Sequence, residues 1–165
     1  MRVKLQIAKS DDVADLVCLR TAVSEHLTAK YGVGLWSSRS TEKGALFGMR
    51  TSAVYIARYQ QRLIATLTLS PRKPWAIDKS YFSESERPLY LTGMAVFPDD
   101  QRKGFGRLCI EEARRIARTW PSDALRLDAW DAEAGAGEFY RKCGFREVGR
   151  ATYRNAPLIY FEMLL

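Results

Sequence analysis

Hydrophobic and polar positions along the chain repeat with two periods, and the change from one to the other outlines the elements. Val3 to Ile7 (VKLQI) alternates, as do Ala124 to Ala129, Arg146 to Tyr153 and Leu158 to Leu165, which predicts strands with one buried face. Ala53 to Tyr59 and Arg62 to Ser70 form a further strand pair joined by Gln60-Gln61, a two-residue link without the usual glycine. Leu89 to Phe97 (LYLTGMAVF) is nearly continuous in apolar residues and predicts a largely buried strand.

Helical spacing appears in four places. Ser10-Asp11-Asp12 offers an N-cap to a helix carrying Val13, Leu16, Val17, Leu19, Arg20 and Val23, with its end marked by Tyr31-Gly32-Val33-Gly34. Thr41 to Arg50 predicts a short second helix. Phe105, Leu108, Cys109, Ala113, Ile116, Ala117 and Trp120 define one buried face of a third, and Ala134 to Lys142 forms a fourth, stopped by Gly144. Leu35 to Ser40 looks like a mobile loop, and Arg154-Asn155-Ala156-Pro157 separates the last two strands. Pro71 to Pro88 is long for a loop inside a compact domain, which predicts a pocket cover or a dimer contact.

Composition narrows the class. A chain of 165 residues, 47% hydrophobic and 27% charged, is expected to form one domain over residues 1–165 with a real core. Neither a membrane-length apolar run nor a signal-peptide core is visible, so the expected compartment is the cytoplasm. Three scattered cysteines and one histidine, His26, give no disulfide framework and no zinc ligand set. The net charge of +7 comes from 26 basic residues spread along the chain rather than gathered in a tail. That pattern permits nucleic acid as a partner without favouring it, and fits a solvated surface whose field also attracts an anionic cofactor.

Candidate chemistry concentrates between the buried strand and the third helix. Pro98-Asp99-Asp100 ends the strand, and Gln101-Arg102-Lys103-Gly104-Phe105-Gly106 leads into the helix. Gly104 and Gly106 are expected to let the chain turn sharply with its amides pointing inward. Free amides and the helix dipole favour a phosphate at such a place, and Arg102, Lys103 and Arg107 add positive charge. A dinucleotide fingerprint would need a third glycine where Cys109 stands, and a triphosphate loop would need Gly-Lys followed by Ser or Thr, which is absent.

These residues resemble the Gcn5-related N-acetyltransferases, whose signature is Gln or Arg, two residues, Gly, one residue, then Gly or Ala. Gln101, Gly104 and Gly106 match it in full, after a strand ending in Ala95-Val96. Farther on, Phe139-Tyr140, Gly144 and Phe145 match the family's aromatic-Tyr-x-x-x-Gly-Phe run, while Glu133 stands where an Asn is usual. Together the matches cover about Leu89 to Arg150.

The resemblance implies an α/β (α+β) acyl-CoA N-acyltransferase fold. Its mixed, mostly antiparallel sheet has about six to seven strands flanked by about four helices, and splits between strands 4 and 5. It implies acetyl-CoA or coenzyme A as cofactor, with the pantetheine and thioester facing backbone amides of Met94, Ala95 and Val96, and Gly93 easing a bulge. Gln101, Arg102, Lys103, Gly104, Phe105, Gly106 and Arg107 would hold the pyrophosphate, and Glu133 would lie near the pantetheine arm. Tyr140 matches the family's common general acid. No carboxylate occupies the fourth-strand position some relatives use as base, and Asp128 is the best remaining one, with Asp131, Glu133 or a water relay as alternatives. Trp36, Tyr90 and Trp130 are candidate acceptor-binding residues.

The implied reaction is acetyl transfer to a primary amine by direct attack, without a covalent enzyme intermediate. The acceptor would be a small-molecule or peptide amine. An acyl-CoA sensor, or a toxin-like enzyme acting on aminoacyl-tRNA, are the competing readings. Homodimers through a sheet edge or the last strand are common in the resembling fold.

Overall fold

In the computed structural model, which describes residues 1–165, seven strands and four helices follow one another along the chain. The order is β1 (Leu5–Ile7), α1 (Val13–Tyr31), α2 (Glu42–Thr51), β2 (Ala53–Tyr59), β3 (Arg62–Ser70), β4 (Pro88–Val96), α3 (Phe105–Thr119), β5 (Ala124–Trp130), α4 (Gly137–Lys142), β6 (Arg146–Tyr153) and β7 (Ala156–Leu164). The strand order in the sheet is β1-β2-β3-β4-β5-β7-β6. Pairing of β4 with β5 is parallel, whereas β1–β2, β2–β3, β5–β7 and β6–β7 are antiparallel. This is the mixed sheet with four helices expected of the acyl-CoA N-acyltransferase fold.

The chain forms two compact units, Met1–Leu69 with Gly93–Ala113, and Ser70–Thr92 with Arg114–Leu165. In the first unit, β1 pairs with β2 from Leu5↔Ala57 to Ile7↔Tyr55, and β2 pairs with β3 with a register shift at Ala57/Arg58. The apolar stripe of α1 explains its seat. Leu16 and Leu19 are fully buried with Ala8, Val54, Ile56 and Leu63, and Val23, Met49, Ala95 and Phe97 pack around them. The entry to α1 is fixed by Asp12, whose carboxylate accepts the Lys9 amide at 2.7 Å and Arg58 Nη2 at 2.6 Å. Helix α2 begins at Thr41, whose hydroxyl accepts the Gly44 amide at 3.1 Å.

The β2–β3 turn is strained. Gln60 and Gln61 have φ of 50° and 65°, two successive left-handed residues as in a type I′ turn, where Asn-Gly is preferred. Left-handed backbone costs a residue with a Cβ roughly 1–2 kcal/mol. Replacing the pair by Asn-Gly is therefore expected to raise stability by about 1–2 kcal/mol. A urea melt checks this, and an unmoved midpoint would show that no strain is held there.

In the second unit, β4 pairs with β5 over Pro88↔Ala124 to Tyr90↔Arg126, and β7 lies between β5 and the edge strand β6. The final hairpin turns through Arg154 and Asn155, with φ of 46° and 65°, so Ala156 and Pro157 belong to β7 rather than to the turn. Residues 71–88 are anchored to the second unit at both ends. Ile77 is 2% exposed in a core with Tyr90, Leu158 and Tyr160, and the Tyr160 hydroxyl donates to the Ala76 carbonyl at 2.5 Å. Asp123 accepts the Ser85 hydroxyl and the amides of Glu86 and Arg87 at 2.9 and 3.2 Å, closing the far end of the segment. Between them sits a buried ion pair. Arg126 on β5 donates from Nε to Glu162 on β7 at 3.0 Å and from Nη2 to the Ser83 carbonyl at 2.5 Å, with its guanidinium 4.9 Å over the Phe82 ring. No helix is long and apolar enough to cross a membrane.

Candidate functional site

The turn after β4 is built to expose its amides. Gly93 has φ of 58°, a left-handed residue inside a strand, which breaks the pleat where a bulge was expected. Beyond it Ala95 packs on the core of the first unit, so Met94 and Val96, each half-buried, alternate to the other face. Gln101 returns its side-chain amide to the Val96 carbonyl at 3.1 Å, tying the strand end to the turn. Arg102 and Gly104 then take φ of 61° and 89°, and α3 starts at Phe105, with the Leu108 amide closing on the Gly104 carbonyl at 3.2 Å.

The amides of Phe105, Gly106 and Arg107 precede the first intrahelical bond of this kind, and the positive end of the α3 dipole lies at the same place. Left-handed residues that turn successive amides to one side form an anion-binding concavity. A phosphate fits this donor set. One expectation needs correcting. Gly106 lies inside the first turn of α3 and does not bend the chain; the sharp turning is done by Gly104 and by Arg102, a residue with a Cβ in a glycine-like conformation. Phe105 is 3% exposed with its ring 5.1 Å from Tyr59, so only its backbone is available to a ligand. Arg102, Lys103 and Arg107 are exposed.

One anchor of this turn was not expected from the sequence. Asp100 is 3% exposed and receives Arg62 Nη2 at 2.5 Å and Lys103 Nζ at 3.4 Å. It fastens the turn to the start of β3. An Asp beside Pro98 reads locally as turn chemistry, and its partner lies 38 residues away, beyond any local pattern.

The second unit carries the candidate acid and base. Tyr140 on α4 is 7% exposed, with its ring 5.2 Å from Phe139, 5.6 Å from Phe145 and 5.9 Å from Phe161. The local fold places it so because Gly144, with φ of 92°, stops α4 and lets the Phe145 amide bond back to the Tyr140 carbonyl at 3.1 Å. Burial raises the Tyr140 phenol, and the negative charge of nearby Asp128 raises it further, so it keeps its proton at any working pH. Asp128 on β5 is half-buried opposite Tyr160 on β7, and burial pushes its carboxyl above the ordinary carboxylate value.

Of the remaining candidates, Trp130, Asp131 and Glu133 line one cavity of the second unit with Glu138, Arg141 and Arg150, whereas Trp36, Tyr90 and His26 do not. Glu133 is exposed in the tight turn after β5, where Gly135 is required because a Cβ there would lie 1.9 Å from the Trp130 carbonyl oxygen. The acids on either side of it are paired with bases. Asp131 is paired with Arg150 at 3.0 Å, and Glu138 with Arg141 and Lys142 at 3.7 and 3.5 Å. Trp36 is half-buried in its own loop, donating from Nε1 to the Gly32 carbonyl at 2.9 Å and meeting Tyr31 edge-on at 6.4 Å. Tyr90, 2% exposed among Ile77, Leu158 and Tyr160, is core rather than an acceptor wall. Trp130 packs partly buried against that same core. His26 is exposed on α1.

A strand with a left-handed break, an amide-rich turn and the helix it opens, in a sheet of this topology, define an acyl-CoA N-acyltransferase fold. The chain belongs to the acetyltransferase (GNAT) family, whose model matches residues 21–145. No curated protein matches the chain significantly. Among solved structures it is similar to a GCN5-related N-acetyltransferase from Rhodopseudomonas palustris, with a TM-score of 0.76 at 19% identity over 100% of this chain and 97% of that one. It is also similar to the ribosomal-protein-S18-alanine N-acetyltransferase of Escherichia coli, with a TM-score of 0.69 at 14% identity over 98% and 93% of the two chains. The PaiA N-acetyltransferase of Thermoplasma acidophilum, solved in complex with coenzyme A, gives a TM-score of 0.71 at 15% identity over 97% and 98%.

Proposed function

We propose that the protein transfers an acetyl group from acetyl-CoA to the amine of a small-molecule or peptide acceptor, without a covalent enzyme intermediate. The observation that carries this reading is the left-handed pair Arg102 and Gly104 opening the amides of α3, in a chain that matches the acetyltransferase family from residue 21 to 145. The Thermoplasma relative that binds coenzyme A shares the fold. Acetyl-CoA supplies an activated thioester. The protein's own part is to hold its pyrophosphate on the amides of residues 104–107, with Arg102, Lys103 and Arg107 balancing charge, and to present the amides of residues 94–96 to the acyl carbonyl. Glu133 is assigned to the neighbourhood of the pantetheine arm.

An aliphatic amine has a pKa of about 10.4, so at neutral pH a base must take its proton. Asp128 is assigned that role, since burial has already made it more basic than a surface carboxylate. As the acceptor nitrogen forms its bond to the acyl carbon, the C–S bond breaks and Tyr140 gives its phenolic proton to sulfur; the second proton, which the nitrogen sheds on becoming an amide, returns through water to the Tyr140 oxygen, and Asp128 releases the first to solvent. The two roles are coupled. The negative charge of Asp128 is one of the causes that hold the Tyr140 proton, so a proton arriving on Asp128 makes Tyr140 a better acid. Trp36 and Trp130 are assigned to the acceptor side; Tyr90 is not carried forward because it is buried.

Thiol release from acetyl-CoA in the presence of amino acids, polyamines, aminoglycosides and peptides tests the reading. One acceptor class is expected to release thiol well above the hydrolytic background. Coenzyme A binding without thiol release for any amine would instead indicate a sensor.

Asp128 also makes a prediction about pH. Its folded-state pKa is raised, so the folded form binds a proton more readily than the unfolded chain, and its charge costs stability above the folded pKa. Asp128→Asn is expected to slow transfer while leaving coenzyme A affinity intact, and to raise the urea midpoint at pH 7. The stability gain should shrink as pH falls through the folded pKa toward the ordinary carboxylate range. Equal turnover at all pH values would remove Asp128 from the base role, and an unchanged midpoint at pH 7 would show that its charge is not penalised.

A further inference from the structure

Arg20 is the one charged group in the interior of the first unit that no protein partner answers. It lies on α1 beside Leu19, half-buried, and its guanidinium makes no hydrogen bond or ion pair within the protein. The other guanidiniums and carboxylates packed into this unit are matched, Asp12 with Arg58 at 2.6 Å and Asp100 with Arg62 at 2.5 Å. Removing a guanidinium from water without a partner is costly, and burial lowers the Arg20 pKa accordingly.

The guanidinium points at a defined place. Built on Gly93, a Cβ would lie 3.8 Å from Arg20 Nη2 and 3.9 Å from the Thr68 hydroxyl oxygen. Thr68 is 9% exposed, and its hydroxyl makes no hydrogen bond within the protein. Gly93 itself is exposed, with left-handed backbone and no side chain to cover these two groups. A cation and a hydroxyl thus converge on the bare backbone of the residue immediately before Met94. The chemistry they match is a carboxylate, which can take a forked pair of hydrogen bonds from arginine and a third from threonine.

We infer that Arg20 and Thr68 bind a carboxylate of the acceptor, so that the acceptor is an amine that also carries an acid group, an amino acid or a compound of that kind. This rests on the reading that residues 94–96 face the acyl carbonyl, because that reading puts the anion beside the reacting end. The phosphates of the coenzyme are already provided for by residues 101–107, on the far side of 94–96 in sequence. Arg20 is a specificity residue: it holds the acceptor's acid group and leaves the bond-making atoms alone.

The test compares the standard L-amino acids with their carboxamides in the thiol-release assay, using wild type, Arg20→Gln, Arg20→Lys and Thr68→Val, with coenzyme A binding measured by calorimetry for each. The free acids should be preferred in kcat/KM by roughly 10- to 100-fold, the range of a hydrogen bond to a charged group. Arg20→Gln should erase that preference by raising KM for the acids at little-changed kcat, leave the carboxamides unaffected, and bind coenzyme A normally. Arg20→Lys should restore part of the preference, which a purely structural role would not do. Carboxamides as good as acids, or an equal fall in kcat for both in Arg20→Gln, would overturn the inference. Turnover on neutral amines only, or on none of the panel while coenzyme A binds, overturns it as well and leaves the coenzyme reading standing. Failure to bind coenzyme A overturns both.

Discussion

Tyr140→Phe is expected to lower the turnover number for acetyl transfer by roughly 10²- to 10⁴-fold, the contribution of a positioned general acid, while coenzyme A binds as tightly as before. The expectation follows from where the phenol sits. Its ring is held by Phe139, Phe145 and Phe161, so phenylalanine keeps the packing and removes only the hydroxyl. Burial, and after it the Asp128 charge, raise the phenol above its ordinary value, so the proton is present at neutral pH. The acid limb of the pH profile should therefore report Asp128, and no alkaline limb should be traceable to Tyr140. Thiol-release kinetics on wild type and variant, with calorimetric coenzyme binding, make the comparison. Unchanged turnover would show that Tyr140 only fastens α4 to the sheet.

The largest effect on stability is expected at Glu162. This side chain, 2% exposed, accepts Arg126 Nε at 3.0 Å and the Ser83 amide at 3.3 Å. Glu162→Ala would leave the Arg126 guanidinium buried with only the Ser83 carbonyl and the Phe82 ring for company. Breaking one side of a buried pair costs about 3–5 kcal/mol. Chemical denaturation measures the loss. Limited proteolysis should show new cleavage within residues 71–88, because Ser83 is held by both members of the pair. The double replacement of Arg126 by Met and Glu162 by Leu should recover much of the lost stability, since it buries no charge, but should leave the segment at Ser83 looser. A Glu162→Ala cost below about 1 kcal/mol would mean that water reaches the pair and it behaves as a surface bridge.

These two sites also show what the sequence could and could not convey. Tyr140 was legible because its signal is local: an aromatic pair, a helix length and Gly144 at the stop. The turn at residues 101–106 was legible for the same reason, and so were the alternating strands and the spaced apolar face of α1. Arg126–Glu162 was not, because the alternation that marks β5 and β7 as strands says nothing about which inward position of one will face which of the other. Their register brings together residues 36 apart in the chain. Asp100 with Arg62 escaped for the same reason.

Backbone conformation was legible only where glycine announced it. Gly93, Gly104 and Gly144 are left-handed, yet so are Arg102, Gln60 and Gln61, and side-chain identity gives no sign of it there. Residues 71–88 look like a loop by their prolines and charges. What orders them is the hydroxyl of Tyr160 and the carboxylate of Asp123, supplied from distant parts of the chain. Arg20 could be read only as one position on a helix face. Its meaning comes from Thr68 and Gly93, which folding brings beside it.

The turn from Gln101 to Gly106 is the part of the protein assigned to the pyrophosphate of coenzyme A. Calorimetric titration of the protein with coenzyme A and, separately, with pantetheine, which has the thiol arm without the phosphates, tests it most directly. One coenzyme A site per chain is expected, with pantetheine binding weaker by at least about 100-fold and a coenzyme A affinity that Gly104→Val reduces toward the pantetheine value. Equal affinity for the two ligands, or a Gly104→Val protein that is folded and binds coenzyme A as well as wild type, would contradict it.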